Sequence, residues 1–209
     1  HTYYDMNADE FASEMKEIAS LNVHVLGGCC GTTPEYLSKT IALVKDLPIE
    51  PPVKKNISVV TSFSQAVEIG PKPVIIGERI NPTGKKKFKQ ALRDGDINYI
   101  LSEGLKQEDA GAHILDVNVG LPEIDEPKMM VEVMKKLQSV IALPLQIDTS
   151  DPIALEAALR HYNGKAMINS VNGKQESMDA VFPLVKKYGG VVVGLALDEE
   201  GIPDNAVDR

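Results

Sequence analysis

The chain has 209 residues, 43% of them hydrophobic and 25% charged, and a formal net charge of −8. That length suits one large domain or two small ones, and the composition is that of an ordinary folded protein. The negative balance excludes a surface built for non-specific nucleic-acid binding, and no apolar run is long enough to span a membrane.

Cys29 and Cys30 are the two cysteines of the sequence, and they are adjacent. A bridge between neighbours is badly strained, so a disulfide framework is excluded. No signal peptide is read at the start, and a reducing cytoplasm is the expected compartment. The chain begins at His1 without an initiator methionine, and the expectation is an interior piece of something longer.

Residues 1–46 read as the end of one α/β unit. Asn7 and Glu10 form a capping pattern ahead of Phe11, Met15, Ile18 and Ala19, which recur at helical spacing. Leu21–Leu26 reads as a strand, closed by Gly27-Gly28-Cys29-Cys30-Gly31-Thr32-Thr33-Pro34. Thr33 is the expected cap of a second helix, with Pro34 in its first turn and Leu37, Ile41 and Val44 on its buried face. Two small buried residues would account for the cysteine pair, since free cysteine is among the most buried residue types. Glycines on both sides also allow an irregular backbone that aims both sulfurs at one point. Two thiolates are good zinc ligands, although a catalytic zinc needs three protein ligands and an open position.

Residues 47–73 are proline-rich and charged through Pro48, Pro51, Pro52, Lys54 and Lys55. They read as a semi-rigid linker, with a short extended segment at Ser58–Thr61.

Residues 74–209 repeat one pattern: apolar strand, polar strand end, amphipathic helix. The strand candidates are Val74–Gly77, His113–Val117, Leu145–Asp148, Ala166–Asn169 and Val191–Leu197. Helices are expected over 96–110, 127–140, 152–161 and 176–188. Alternating strands and helices imply a parallel sheet, either open and doubly wound or of (β/α)-barrel type. No glycine-rich dinucleotide fingerprint follows the first strand, which weighs against the doubly wound form.

The strand ends carry Glu78 and Asn81, then Asp116 and Asn118, then Asp148, then Asn169 and Asn172. A cap of the next helix explains any one of them. Four successive strands ending this way point instead to one barrel mouth. A mouth rich in acceptors and amides suits a neutral heterocycle with several N–H donors.

Two resemblances rest on these residues. The Gly27–Pro34 motif resembles the end of the homocysteine-binding barrel of zinc-dependent homocysteine S-methyltransferases, which implies that Cys29 and Cys30 are zinc ligands. In that family a third cysteine comes from an earlier strand, which this chain lacks. Gly77-Glu78-Arg79-Ile80-Asn81, Asp116-Val117-Asn118, Ile147-Asp148-Thr149-Ser150 and Ile168-Asn169-Ser170-Val171-Asn172 resemble the pterin-binding barrel of methyltetrahydrofolate methyltransferases. That likeness implies that Asp148 and Asn169 hydrogen-bond a pterin ring. Together the two, in this order, are similar to the cobalamin-dependent methionine synthase family.

The implied fold is therefore α/β, of parallel (β/α)-barrel type: two truncated TIM-like barrels joined by the proline-rich linker. The implied reaction moves a methyl group from 5-methyltetrahydrofolate, via cobalamin on domains absent here, to zinc-bound homocysteine. The partners would be those two substrates and a cobalamin-binding domain or protein. A dihydropteroate synthase-like enzyme is the alternative among enzymes, although Glu78-Arg79-Ile80-Asn81 departs from that family's first loop. A non-catalytic pterin-binding module is the alternative outside them.

Overall fold

The computed structural model describes residues 4–207 and residue 209. They form two compact units, residues 1–55 and 56–209. Among the described residues no helix is long and apolar enough to cross a membrane.

The first unit is a pair of helices, α1 (Ala8–Ser20) and α2 (Pro34–Val44). The capping box expected for α1 is formed. Asn7 Oδ1 accepts from the Asp9 and Glu10 backbone N–H groups, and Glu10 Oε2 accepts from Asn7 N, each at 3.0 Å. Phe11 and Tyr36 meet edge to face at 5.5 Å, and the Tyr36 hydroxyl donates to Met6 O at 2.8 Å, which ties the helices together.

Three local expectations for this unit change. The strand expected at Leu21–Leu26 does not form, because strand backbone needs a partner and this unit offers none among its described residues. Pro34 opens α2 as expected, but Thr33 makes no side-chain cap; the Thr32 hydroxyl instead accepts from Cys29 N at 3.1 Å. Leu37 and Ile41, expected to be buried, are exposed, Ile41 by 60%.

The second unit opens with a hairpin, β1 (Ser58–Thr61) and β2 (Ala66–Ile69), within the stretch read from sequence as linker. Then follow β3 (Ile76–Ile80), α3 (Lys86–Asp94), α4 (Ile97–Asp109), β4 (Ile114–Val117), α5 (Glu126–Leu137), β5 (Leu145–Asp148), α6 (Pro152–His161), β6 (Met167–Asn172), α7 (Gln175–Tyr188) and β7 (Val191–Leu195). Helix α3, which buries Phe88, Ala91 and Leu92, is an addition to the expected elements. Strand β3 begins and ends later than expected, so Glu78 and Arg79 lie within it rather than beyond it.

Strands β3 to β7 are parallel and pair in simple chain order. A doubly wound sheet reverses its strand order at a switch point; this one does not, and it winds as a barrel does. One face carries Leu115, Val117, Leu145, Ile147 and Ile168 against α3 to α7 in a large buried core. The other carries Ile76, Ile114, Met167, Val191 and Val193 at the strand starts, packed with Val60, Val67 and Ile69 of the hairpin. The hairpin thus covers the end of the sheet where the strands begin.

That cover is pinned at a few points. The Tyr162 hydroxyl accepts from Leu145 N at 2.9 Å and donates to Thr61 O at 2.8 Å. Lys165 N donates to Thr61 Oγ1 at 2.8 Å, and Thr61 N to Lys165 O at 2.9 Å. Gly164 comes so close that a Cβ there would lie 2.2 Å from Thr61 O. Burial pushes the Tyr162 phenol up to about 12, so it keeps its proton. Tyr162→Phe strands one buried donor and one acceptor, and is expected to lower stability by about 1–3 kcal/mol in urea denaturation. A loss under about 0.5 kcal/mol would mean that the hairpin is not anchored there.

Candidate functional site

The concave face of the five-stranded sheet changes character along its length. Side chains alternate along each strand, so residues two apart share a face. The face that begins with Ile76, Ile114 and Met167 continues with Glu78, Asp116 and Asn169 as the strands run on. On β5 it carries Gln146 and Asp148. The apolar end meets the hairpin; the polar end opens where the strands finish.

Two bulges shape that end. Gly77 pairs with Leu115 and Ile80 with Val117, so β3 holds one extra residue around Glu78–Arg79. Asn169 pairs with Val193 and Val171 with Gly194, so β6 holds one extra residue at Ser170. A bulge re-aims the side chains beyond it: Ile80 and Val171 turn into the helix-side core. The bulged Arg79 N–H donates to Gln107 Oε1 of α4 at 2.7 Å, and Gln107 Nε2 donates to Glu103 O at 2.9 Å. A Cβ on Gly77 would lie 2.6 Å from Gln107 Oε1, so this contact needs glycine.

Asp116, Asp148 and Asn169 come together. Gln146 Nε2 donates to Asp116 Oδ1, and Asn118 Nδ2 donates to Asp148 Oδ2 at 3.0 Å. Asp116 and Gln146 are 2% and 5% exposed, and Asp116 Oδ2 and Gln146 Oε1 are buried without a partner. Burial pushes the Asp116 carboxyl up to about 6. Hydrogen bonds from Gln146 and Asn169 pull it down; the charges of Asp148 and Glu78 push it up. Burial also raises Asp148, opposed by hydrogen bonds from Asn118 and Asp116 and reinforced by Glu78.

The other site candidates divide. Glu78 is exposed at the rim and pairs with Lys85 at 3.0 Å. Asn81 is buried, and its Oδ1 accepts from Thr83 N at 2.8 Å. Asn172 Oδ1 accepts from Lys174 N at 3.0 Å. These two amides brace the turns after their strands, and neither caps the next helix, since α3 and α7 have Lys85 and Lys174 at their N-caps, without a side-chain cap. Asn118 does both jobs, since its Oδ1 accepts from Gly120 N at 2.9 Å while its amide reaches Asp148. Next to the carboxylates lies a cleft of about 390 Å³ lined by Asp148, Thr149, Asn169, Ser170, Asn172 and Lys174, among others. That size is within the range of small-molecule sites.

Two polar residues of the region were not singled out from sequence. Gln146 lay hidden in an apolar strand, where a lone amide at Leu145-Gln146-Ile147 was the available signal. Thr149, whose hydroxyl donates to Glu126 Oε1, stood in the Ile147–Ser150 motif without a role of its own.

In the first unit, Cys29 and Cys30 are both exposed, with their sulfurs 3.7 Å apart. Two sulfurs bound to a tetrahedral zinc at about 2.3 Å would be about 3.8 Å apart. The pair therefore fits two of the ligand positions. No group of three or more His, Cys, Asp or Glu side chains able to hold a metal occurs among the described residues. A hydrogen bond from Cys29, and a second from Tyr4, lower the Cys30 thiol from its ordinary range.

An acceptor-lined mouth on a barrel-type parallel sheet, sealed at its far end by a hairpin, defines the second unit as a small-molecule-binding α/β domain. The chain belongs to the pterin binding enzyme family, whose model matches residues 77–207. The homocysteine S-methyltransferase family model matches residues 1–44. The chain is 31% identical over 211 residues to methionine synthase of Mycobacterium tuberculosis (strain ATCC 25618 / H37Rv), covering 95% of this chain and 17% of that protein. It is 32% identical over 212 residues to methionine synthase of Mycobacterium leprae (strain TN), covering 95% and 18%. It thus spans less than a fifth of the length of either relative. Among solved structures, 7,8-dihydropteroate synthase from Vibrio fischeri ES114 aligns with a TM-score of 0.47 at 17% identity, over 66% of this chain and 48% of that one.

Asp116 gives the site a pH signature. Its folded value of about 6 lies above the ordinary 3.8, so the folded state holds a proton that the unfolded chain has released. Its contribution to stability therefore falls as pH rises from about 4 to about 6, and is constant above. Asp116→Asn is expected to remove this fall, gaining about 2 kcal/mol relative to the original chain between those limits. Urea denaturation at successive pH values checks it; a constant difference would show that Asp116 titrates normally.

Proposed function

We propose that this chain is part of a methyltransferase of the methionine synthase kind, and that its second unit binds 5-methyltetrahydrofolate. The observation that carries the reading is the set of inward acceptors at the strand ends, above all the partnerless Asp116 Oδ2 beside the Asp148–Asn118 and Asp116–Gln146 pairs. The aminopyrimidinone edge of a pterin presents adjacent N–H donors. Asp148 would accept them as a charge-assisted pair, and the Asn169 amide would both donate and accept. The two family matches in sequence on one chain support the same reading.

In this proposal the second unit binds and orients the pterin, and the methyl-bearing nitrogen becomes a better leaving group on protonation. The first unit contributes Cys29 and Cys30 to a homocysteine site. Zinc, when bound there, would favour the deprotonated, nucleophilic form of a substrate thiol. Cobalamin, when bound by another domain or protein, would supply the methyl carrier; no residue of this chain is assigned to it.

Asp148→Ala in the full-length protein should cost about 1.5–3 kcal/mol of 5-methyltetrahydrofolate binding, roughly 10- to 150-fold in Kd by calorimetry. Unchanged affinity would remove Asp148 from the site, and absence of binding by the original protein would sink the pterin reading itself. The chain of 209 residues should hold zinc weakly, since Cys29 and Cys30 supply two ligands. Tight, stoichiometric zinc in the purified chain would show that a further ligand completes the site.

A further inference from the structure

We infer that Gln146 is the positioning residue of the pterin mouth: it fixes the buried acceptor Asp116 from the neighbouring strand, one layer below the Asp148–Asn169 pair. This rests on the pterin-binding reading and goes beyond it, by naming the group that arranges the acceptors without touching the ligand itself.

The geometry runs in a chain across three strands. Gln146 pairs with Asp116 in the β4–β5 register, and Asp148 pairs with Asn169 in the β5–β6 register. Gln146 Nε2 donates to Asp116 Oδ1, which commits the amide and fixes the carboxyl plane. Asp116 Oδ2 is left without a partner, so the bond from Gln146 is the one that sets this carboxyl at the base of the mouth. Gln146 sits two residues before Asp148 on the same face, so it lies one side-chain layer deeper.

An amide is the side chain that this position requires. A cation would draw Asp116 into full ionisation and compete with the ligand for its oxygens. An apolar residue would leave Oδ1 as a second buried orphan beside Oδ2. The amide supplies one N–H and leaves its own Oε1 as an acceptor, which is also buried without a partner. A proton on Asp116 turns one of these orphan acceptors into a donor. The groups that face Asp116 with charge are Glu78 on β3 and Asp148 on β5, and both disfavour its ionisation. Gln146 thus works against them, favouring the ionised, acceptor form of Asp116.

The test uses the full-length protein with two variants. Gln146→Met keeps length and removes the N–H. Gln146→Glu keeps size and polarity, donates when protonated, and adds a like charge when not. Carboxyl-carbon NMR of the ligand-free protein should show the Asp116 midpoint rising by about one pH unit in Gln146→Met and further in Gln146→Glu. Affinity for 5-methyltetrahydrofolate should fall about tenfold or more in Gln146→Met, with the optimum pH displaced upward. An unmoved Asp116 midpoint in both variants overturns the inference, whatever happens to affinity, because a merely structural role would cost affinity without moving a titration. If the original protein binds no 5-methyltetrahydrofolate, the pterin reading fails by itself, while the ligand-free titration still decides whether Gln146 controls Asp116.

Discussion

The mouth of the second unit depends on carboxylates whose partners are amides. Asp116 is buried and Asp148 half-buried, and the side chains that meet them are Gln146, Asn118 and Asn169. An amide offers an N–H without a compensating charge, so burial dominates and both acids are pushed upward. A cation in the same place would lower them and fill the lone pairs that face the opening. The result is a pocket floor with spare acceptors, held by sheet register rather than by ion pairs. Rigid strands hold such groups more closely than loops do.

The far end of the same face makes this arrangement stable. Parallel strands are covered on both faces, so every second residue needs an inner partner. At the strand starts the partner is the β1–β2 hairpin, which buries Val60 against Ile114 and Met167. Tyr162 links Leu145, the first residue of β5, to Thr61 of the hairpin. The strand that carries Gln146 and Asp148 is therefore fastened at its start by the same group that fastens the cover.

The first unit rests on local interactions. Its capping box, the Phe11–Tyr36 contact and the Lys39–Asp9 ion pair at 2.8 Å hold two helices together. Leu21, Val25 and Ile41 remain widely exposed. The glycine-flanked turn still sets Cys29 and Cys30 with sulfurs on one side, because Thr32 closes it onto Cys29 N through its hydroxyl.

Alternation of apolar runs with amphipathic helices made the parallel sheet of the second unit legible, and the polar residues at four strand ends made its mouth legible. Both are written in local periodicity, which sequence carries directly. The capping box at Asn7 and the proline start of α2 were legible for the same reason. Other features depended on partners distant in the chain. The strand at Leu21–Leu26 was lost because no neighbour pairs with it. The linker yielded a hairpin because Val60 and Val67 find Ile114 and Met167 roughly 50–100 residues away. Which amides serve the mouth and which brace turns was settled by geometry: Asn118 reaches Asp148, while the Asn81 and Asn172 oxygens go to their own turns. Gln146 was invisible as a site residue because its meaning comes from lying opposite Asp116. Sequence determined the elements and the chemistry at their ends; tertiary structure alone decided which of those groups meet, because cross-strand register is a property of pairs.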